Sequence, residues 1–475
     1  MVSRAAFAGL LASRMPGRRR PCAWLLVVAL ISALAGAAHA ESLEEALVKA
    51  YQTSPQLNAD RARQRGTDEN VPQALAGYRP QIIASLAAGL QEVRNLLPGN
   101  IIQRASLQPW TIGLTVSQVL YNGNKTANNV RVAELQVMSG REALRNVGQG
   151  VLLDAVTAYM NVMANGALYD SQRTNVDVLR EILATTRRRL NAGDVTPTDT
   201  AQAEARLSRG LADLNAAEVA LAISKEIYAQ VIGQPPSHLQ AAMPVDRLVP
   251  VTQVAAVDTS IHENPAVLGA GYDVDVAQTS IKVAESALLP TVSLQGSASR
   301  TRDTDTSLTT TATDQASILG QINVPIYDGG TAASQTRQAK EMASQSRLVL
   351  EQVRNQTRTA VVSAWVTNEG TKIALKAAES EVHAADVALQ GVRREAEGGQ
   401  RTTIDVLNAQ QDLTNARARQ ITSQRDRVIA SYTLLSAVGR LDVHNLTLNT
   451  PDYLPEVHYH QVRDAWHGLR TPSGQ

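Results

Sequence analysis

The segment that decides the fold begins at Tyr327 with YDGGTAASQTRQAK and turns within residues 398–410, which read GGQRTTIDVLNAQ. No proline occurs between Tyr327 and Val438, and proline breaks a helix interior. The pattern predicts a helix over 330–398, a tight turn and a returning helix over 402–438. At about 1.5 Å per residue the first helix is about 100 Å long. A rod of that length does not fit inside a compact domain.

The same plan occurs twice along the chain. Counting back 206 positions from Tyr327-Asp328-Gly329 gives Tyr121-Asn122-Gly123, and the same offset relates three turn residues, Gly399, Thr402 and Asp405, to Gly193, Thr196 and Asp199. Upstream, an offset of 210 relates Pro55 to Pro265 and Pro80 to Pro290. The chain is therefore predicted to be an internal duplication.

The duplication sets the predicted domain boundaries. The first repeat covers 41–233, the second covers 258–439, an irregular segment over 234–257 joins them, and a tail follows over 440–475. The predicted elements of the first repeat are a helix over 42–77 with a kink or early end at Pro72, strands at about 81–90 and 110–121 joined by a loop at about 92–109, a long helix over 123–191 and a short helix over 197–233. Those of the second are a helix over 258–289, strands at about 291–300 and 316–327, and the two helices already given.

Residues 1–40 have the composition of an export signal. Five arginines, an apolar stretch over 23–35 and the small-x-small sequence Ala38-His39-Ala40 precede Glu41. Removing this segment changes the formal net charge from +1 to −4, because it carries five arginines and no acidic residue. A net negative chain argues against nucleic acid as a partner. Met15 is an alternative start.

Each repeat carries two alternating segments, so the prediction is four strands in a mainly α-helical chain. Trp110 and Tyr121 lie at the ends of one strand, where aromatic side chains of membrane-spanning strands meet the interfaces, and Tyr327 is the repeat counterpart of Tyr121. A soluble hairpin with packed aromatics is the alternative. Four strands cannot close a barrel in lipid, so a membrane-spanning arrangement requires two chains to give 8 strands or three to give 12.

The two turns between long and short helices carry recognisable capping sequences. Thr196 with Asp199, and Thr402 with Asp405, have the spacing of capping boxes, and Gly193 and Gly399 suit the left-handed residue that ends the preceding helix. Capping alone accounts for both aspartates. The alternative is a ring of carboxylates at an opening where several chains converge.

Sequence motifs of catalysis and metal binding give no support to an enzyme. We find no Gly-rich phosphate loop, no HExxH and no GxSxG. The tail histidines 458, 460 and 467 lack acidic or cysteine partners at ligand spacing. We expect no catalytic residue, no metal site and no cofactor.

The duplicated plan, the Tyr-Asp-Gly-Gly exit from strand to helix and the segment 399–410 together resemble the TolC family of outer-membrane channel-tunnels. The resemblance covers essentially the whole chain after residue 40. It implies a homotrimer with a shared 12-stranded transmembrane β-barrel in the Gram-negative outer membrane. A coiled-coil α-helical tunnel hangs below it in the periplasm.

The resemblance also assigns roles to residues at the turns. Asp405 matches an acid that constricts the pore, and Asn408 stands where the family has a second acid, which puts strong cation block in doubt. Arg401 matches an arginine that latches the entrance shut through the neighbouring turn, here Thr198 and Asp199. The expected Arg401–Asp199 pair would join the two turns.

The function implied is a passive exit duct that docks with a periplasmic adaptor and an inner-membrane ABC transporter. The likeness favours the type I secretion members, and among them the outer-membrane component that exports adenylate cyclase-haemolysin (cyclolysin), so the cargo implied is a protein of the RTX-toxin type. Drug or small-molecule efflux is the alternative within the family. A periplasmic adaptor or a soluble coiled-coil scaffold is the alternative from another class.

Overall fold

The computed structural model describes residues 41–304 and 310–472. The expected export signal, residues 1–40, lies outside these ranges. The described chain is mainly helical with few strands, which confirms the predicted fold class. The helices are α1 (Leu43–Thr53), α2 (Pro55–Asp68), α3 (Asn70–Leu75), α4 (Lys125–Asn191), α5 (Pro197–Ile232), α6 (Gln253–Glu263), α7 (Pro265–Glu285), α8 (Thr331–Glu397), α9 (Thr403–Val438) and α10 (Pro455–Val462). The strands are β1 (Gln81–Ala88), β2 (Gln91–Leu97), β3 (Ile101–Leu107), β4 (Trp110–Asn122), β5 (Thr291–Thr304) and β6 (Thr310–Asn323).

The predicted single helices over 42–77 and 258–289 are both wrong, because each is broken before a proline. Ser54 and Asn264 adopt extended ψ angles of 118° and 124°, as the residue before proline does. Each then caps the next helix: the Ser54 hydroxyl accepts a hydrogen bond from the Leu57 amide at 3.3 Å, and the Asn264 side chain accepts one from the Ala266 amide at 2.9 Å. The two breaks stand at equivalent positions of the repeats.

A second break, at Glu69, separates α2 from α3. Pro72 has no amide hydrogen with which to bond the Asp68 carbonyl, so the helical hydrogen-bond ladder is interrupted three residues before the proline itself. A short 3₁₀ turn over Ala76–Tyr78 then leads into β1.

Helices α4 and α8 are 67 residues each and begin in the same way after a strand. The Asp328 carboxylate accepts hydrogen bonds from the amides of Gly330 and Ala332 at 2.9 and 2.6 Å. Asn122, its counterpart, accepts one from the Thr126 amide at 3.3 Å. The strand-to-helix exit sequence is therefore a side-chain cap on each long helix.

The long helices bury side chains that recur every seven residues against their neighbours. Helix α4 packs on α5, α7 and α9 and on the short helices α1, α2 and α3, while α8 packs on α9 and α7. The buried column of α4 contains Val137, Leu144, Val151, Ala158, Val162, Val176 and Leu183. One 18-residue window of α4 is apolar enough to cross a membrane, but half of it is buried inside the chain. This composition reflects helix packing.

The four predicted strands form one antiparallel sheet in the order β1-β4-β5-β6. Strand β5 extends to Thr304, beyond the predicted end at 300, and β6 runs from Thr310 to Asn323 rather than from 316 to 327. Each of the four strands has one terminus near the helices, and these termini form one end of the sheet: Gln81, Asn122, Thr291 and Asn323. The opposite end of the sheet is formed by Ala88, Trp110, Thr304 and Thr310.

The predicted loop at about 92–109 is wrong, because it contains a second hairpin. Strands β2 and β3 pair antiparallel from Gln91↔Leu107 to Leu97↔Ile101. A hydrogen bond of 3.0 Å from the Gly89 amide to the Pro109 carbonyl joins this hairpin to the end of β1 and β4. The hairpin therefore prolongs the sheet away from the helices.

The main core lies where α1, α4, α5 and α9 meet the segments outside the repeats, and its centre includes Leu47, Leu152, Tyr159, Ile232 and Leu435. Two predicted irregular regions contain helices. Helix α6 begins at Gln253, inside the segment 234–257, and α10 lies within the tail over 440–475. Buried His458 of α10 bonds Asp68 of α2 at 3.0 Å, so the tail is fixed to the helical body.

Candidate functional site

The first turn, between α4 and α5, is closed entirely by local hydrogen bonds. Gly193 has φ +82° and donates to the Leu190 carbonyl at 3.0 Å, while the Asp194 amide donates to the Arg189 carbonyl at 2.9 Å. This is the Schellman arrangement that satisfies a helix end. The capping box follows at once: the Thr196 amide donates to Asp199 at 2.9 Å, and the Asp199 amide donates to the Thr196 hydroxyl at 3.4 Å.

The second turn, between α8 and α9, repeats this geometry. Gly399 has φ +76° and donates to the Ala396 carbonyl at 3.2 Å, while the Gln400 amide donates to the Glu395 carbonyl at 2.9 Å. The Thr402 amide then donates to Asp405 at 3.0 Å, and the capping box is complete. In both turns, backbone groups at the end of the first helix and at the start of the second are therefore hydrogen-bonded.

The capping bonds lower the pKa of both aspartates. For Asp199 the main cause is the hydrogen bond from the Thr196 backbone, and for Asp405 it is the one from the Thr402 side chain. Each carboxyl is consequently ionised at neutral pH. Each can serve both as a cap and as a fixed negative charge.

Arg401 does not bond to Asp199 within the single chain. Its Nε donates to Glu395 at 2.9 Å, and this bond raises the pKa of Arg401. Thr198 is exposed at the second position of α5. Both side chains of the Arg401–Glu395 pair are about half exposed, at 52% and 46%, so the pair stabilises little and can exchange partners.

Asn408 has a partner that the sequence did not indicate. Arg206 of α5 donates to the Asn408 side-chain oxygen at 2.8 Å, across the boundary between the two helical hairpins. The neutral residue at this position is therefore tied to a cation in the same chain. An acidic side chain there would form an ion pair with the same arginine.

A buried polar network also joins the hairpins above the turns. Gln410 donates to Asn175 of α4 at 3.2 Å, Thr414 donates to the same oxygen at 3.1 Å, and Arg393 donates to Gln410 at 3.0 Å. Leu179, Ala203 and Leu407 pack beside it. The network fixes the lateral position of one hairpin on the other.

The four-stranded sheet has one apolar and one polar face. Residues directly opposite one another share a face, and the register assigns to one face Ile82, Leu86, Trp110, Ile112, Leu114, Val116, Leu294, Ile318 and Ile322. The other face carries mainly polar side chains, Ser85, Thr111, Thr115, Ser117, Ser297, Ser299, Thr301, Ser317 and Gln321, together with Ile83, Val119 and Leu319. Side chains of the polar face bond across strands, as in the Thr111–Thr301 pair at 3.0 Å.

A β-bulge brings two of the predicted interface aromatics onto the apolar face. Eleven residues separate Trp110 from Tyr121, so regular alternation would place them on opposite faces. The register shifts between Val119 and Tyr121, which leaves Leu120 extra and pairs Tyr121 with Val292. The prediction that Tyr327 ends a strand is wrong, because β6 stops at Asn323; Tyr327 lies in the exposed connection before α8.

Over residues 41–304 and 310–472 no three His, Cys, Asp or Glu side chains converge in a way that could hold a metal ion. Of the tail histidines, His458 bonds Asp68 and the His460 ring packs edge-on against Tyr459. The turns and the sheet are thus the two regions with functional geometry.

Long antiparallel helical hairpins, attached to a sheet with one apolar and one polar face, define the class of outer-membrane export channels. The profile of the family described as outer membrane efflux protein matches residues 46–234 and 256–440. The chain belongs to this family, and its place is the outer membrane. The family and the fold are those of channel proteins.

Three relatives show the breadth of the family. The chain is 39% identical to outer membrane efflux protein BepC of Brucella suis, over 92% of this chain and 94% of that one. It is 26% identical to outer membrane protein TolC of Vibrio cholerae, over 88% and 95%. The alkaline protease secretion protein AprF of Pseudomonas aeruginosa is 23% identical over 72% of each chain. The resemblance to the TolC family is confirmed, and the likeness to secretion members is the weaker one.

The fold agrees with that of solved channels. The Campylobacter jejuni CmeC outer membrane channel superposes with a TM-score of 0.75, covering 89% of each chain at 14% identity. The family match also removes the support for a periplasmic adaptor or a soluble scaffold.

Proposed function

We propose that three copies of this chain form a passive exit duct across the outer membrane, with a shared 12-stranded barrel and a helical tunnel below it. The observation that carries the proposal is the division of the sheet into an apolar and a polar face. Ile82, Leu86, Ile318 and Ile322 are between 66% and 80% exposed on the apolar face. Such a surface is unfavourable in water and suited to lipid.

The sheet edges support the closure. Strands β1 and β6 each pair on one side only within the described chain, and an open edge in lipid leaves backbone groups unbonded. Joining β6 of one copy to β1 of the next satisfies both edges, and three copies give 12 strands. Strands β5 and β6 have fourteen residues each, and at a tilt of about 45° this length covers about 33 Å, which is enough to span the hydrocarbon layer.

The turns form the entrance of the duct in this proposal. Three copies of Asp405 and Asn408 converge at the constriction, and Arg401 contacts Thr198 and Asp199 of the neighbouring turn when the entrance is shut. Gly193, Thr196, Gly399 and Thr402 hold these side chains on rigid turns. The half-exposed bond to Glu395 is the contact that Arg401 exchanges for the latch.

The partners follow from the class. A periplasmic adaptor and an inner-membrane ABC transporter supply the energy and dock at the turns. The chain itself carries out no catalysis and needs no cofactor. Its contribution is a continuous polar path past the lipid.

For the cargo, small-molecule efflux has the stronger support, because the relative named an efflux protein is 39% identical and the one named for protease secretion is 23% identical. Export of a protein by type I secretion, such as an RTX-type toxin, is the second candidate and rests on that secretion relative. Deleting the gene separates the two. Drug hypersensitivity with unchanged culture-supernatant proteins supports efflux, and the converse supports secretion.

The duct itself is tested by electrical conductance in a planar bilayer. We expect purified mature protein to migrate as a heat-modifiable trimer and to give discrete, small, cation-favouring conductance steps. Folded trimers that give no conductance under any condition, including after Arg401→Ala, would contradict the duct. Folded monomers that stay soluble without detergent would contradict the barrel.

A further inference from the structure

At the end of the sheet far from the helices, the apolar face carries arginines. Arg302 lies opposite Trp110, with its guanidinium 5.8 Å from the ring centroid. Arg300 lies opposite Ile112 and bonds Asp314 through two hydrogen bonds of 2.5 and 2.6 Å. Charged side chains beside an aromatic on an otherwise apolar face mark the level at which that face leaves the hydrocarbon.

The β2–β3 hairpin carries two more arginines on the side of the sheet away from the helices, six residues beyond Ala88 and Trp110 and so about 20 Å farther along the strands. Arg94 and Arg104 are directly opposite each other and both are exposed. The pairing of β1 with β4 and that of β2 with β3 keep the same register on the two sides of a short break, which the bond from Gly89 to Pro109 crosses. Alternation along this register places Arg94 and Arg104 on the face of Trp110.

Two like charges directly opposite in a sheet are destabilising. On this face the described acidic side chains are Glu92 and Asp314, and Asp314 is already bonded by Arg300. The positive charge of Arg94, Arg104 and Arg302 is therefore in excess. An anion placed between Arg94 and Arg104 would offset their repulsion.

We propose that this arginine edge, defined as Arg94, Arg104 and Arg302, binds the phosphate groups of a phosphorylated lipid in the outer leaflet. The site rests on the proposed barrel, which turns the apolar face to lipid. Arginine suits phosphate because its planar fork donates two parallel hydrogen bonds. The acyl chains of the same lipid would extend toward the helices over the apolar face, where Leu86, Ile112 and Leu114 lie.

The test is a titration of the detergent-solubilised mature protein with lipid A, beside lipid A whose phosphates have been removed, read by native mass spectrometry. The intact lipid should bind more tightly than the dephosphorylated one. Arg94→Gln/Arg104→Gln should weaken its binding about thirtyfold, since each surface arginine contributes about 1 kcal/mol toward an anionic lipid. Arg302→Gln should weaken it less, and Arg302→Lys should restore part of it.

Arg337→Gln is the matched control, because Arg337 is an exposed arginine near the start of α8, beyond the end of the sheet that faces the helices. It should leave lipid binding unchanged. Equal binding of intact and dephosphorylated lipid, or equal binding by wild type and Arg94→Gln/Arg104→Gln, would overturn the proposal. Displacement of the lipid by millimolar inorganic phosphate would overturn it as well, because the site would then recognise free phosphate.

The conductance of the same variants separates this proposal from that of the duct. Arg94→Gln/Arg104→Gln should form trimers that conduct as wild type does. Lost lipid binding with normal conductance supports the lipid site independently of the entrance. If this double variant yields no trimer, Arg302→Gln carries the test with the same outcomes.

Discussion

The two turns at the far end of the helices have the same backbone and different side chains. Both use a left-handed glycine, a Schellman end and a capping box. At the equivalent positions, however, the first turn has Arg189 and Val195, where the second has Glu395 and Arg401. Capping therefore explains what the turns share, and the proposed latch differs between them through Arg401, which the first turn lacks.

The largest expected effect comes from removing the side chain unique to the second turn. Arg401→Ala should raise single-channel conductance several-fold, because the entrance loses its latch, whereas Val195→Ala at the equivalent position should not change it. Planar-bilayer recording of both variants measures the contrast. Asp199→Asn should resemble Arg401→Ala and Glu395→Ala should resemble wild type. A rise in conductance in Glu395→Ala but not in Asp199→Asn would mean that Arg401 acts only within its own turn.

The next effect contrasts a buried bond between the two hairpins with an exposed bond inside the first hairpin. Gln410→Ala should cost about 1–3 kcal/mol, because Arg393 loses its acceptor and Asn175 keeps only the bond from Thr414. Glu204→Ala removes the partner of Arg187, and both side chains of that pair are half exposed, so its cost should be about 0–1 kcal/mol. Thermal unfolding of the solubilised protein compares the two. Equal losses would show that the buried network does not fix the hairpins.

A similar loss should occur at the glycine of either turn. Gly193→Ala and Gly399→Ala each force an L-residue into the left-handed region and should each cost about 1–2 kcal/mol. Gly370→Ala is the control: this glycine lies inside α8 with open space around it, so the change should stabilise the protein by about 0.8–1 kcal/mol. Unequal losses at the two turns, measured by chemical denaturation, would contradict their structural equivalence.

The smallest expected effect is on the stability of the protein at low pH. Because the folded pKa values of Asp199 and Asp405 are lowered, their stabilising contribution is complete above the ordinary aspartate value of about 4 and disappears as pH falls below it. Asp199→Asn/Asp405→Asn should flatten the fall in thermal stability between about pH 4 and pH 2. A pH profile unchanged by the double variant would show that the capping bonds do not need the charge.

Features with local causes could be predicted from the sequence. The long helices lack proline, and the turns are specified within a few residues by Gly399, Thr402 and Asp405 or their counterparts. The broken helices could have been recognised too, since Ser54-Pro55 and Asn264-Pro265 are N-cap and first-turn signals.

Features that depend on lateral placement could not be predicted. The partners Arg206 and Asn408 are 202 residues apart, and Asn175 and Gln410 are 235 apart. No local pattern joins such residues, because their contact is set by how one hairpin lies on the other. The β2–β3 hairpin could not be predicted either. Its pairing continues the register of β1 and β4, and Pro98-Gly99 at its tip suggests only a loop.

The extra hairpin has a consequence for symmetry. In the proposed trimer, three duplicated chains would give the helical wall six nearly equivalent units around its axis. Among the described residues only the first repeat carries strands such as β2 and β3, and only the second has an arginine at the position of Arg401. The duct would be six-fold along its length and three-fold at both ends. A partner that grips the wall would then find six places to bind, whereas one that reads either rim would find three.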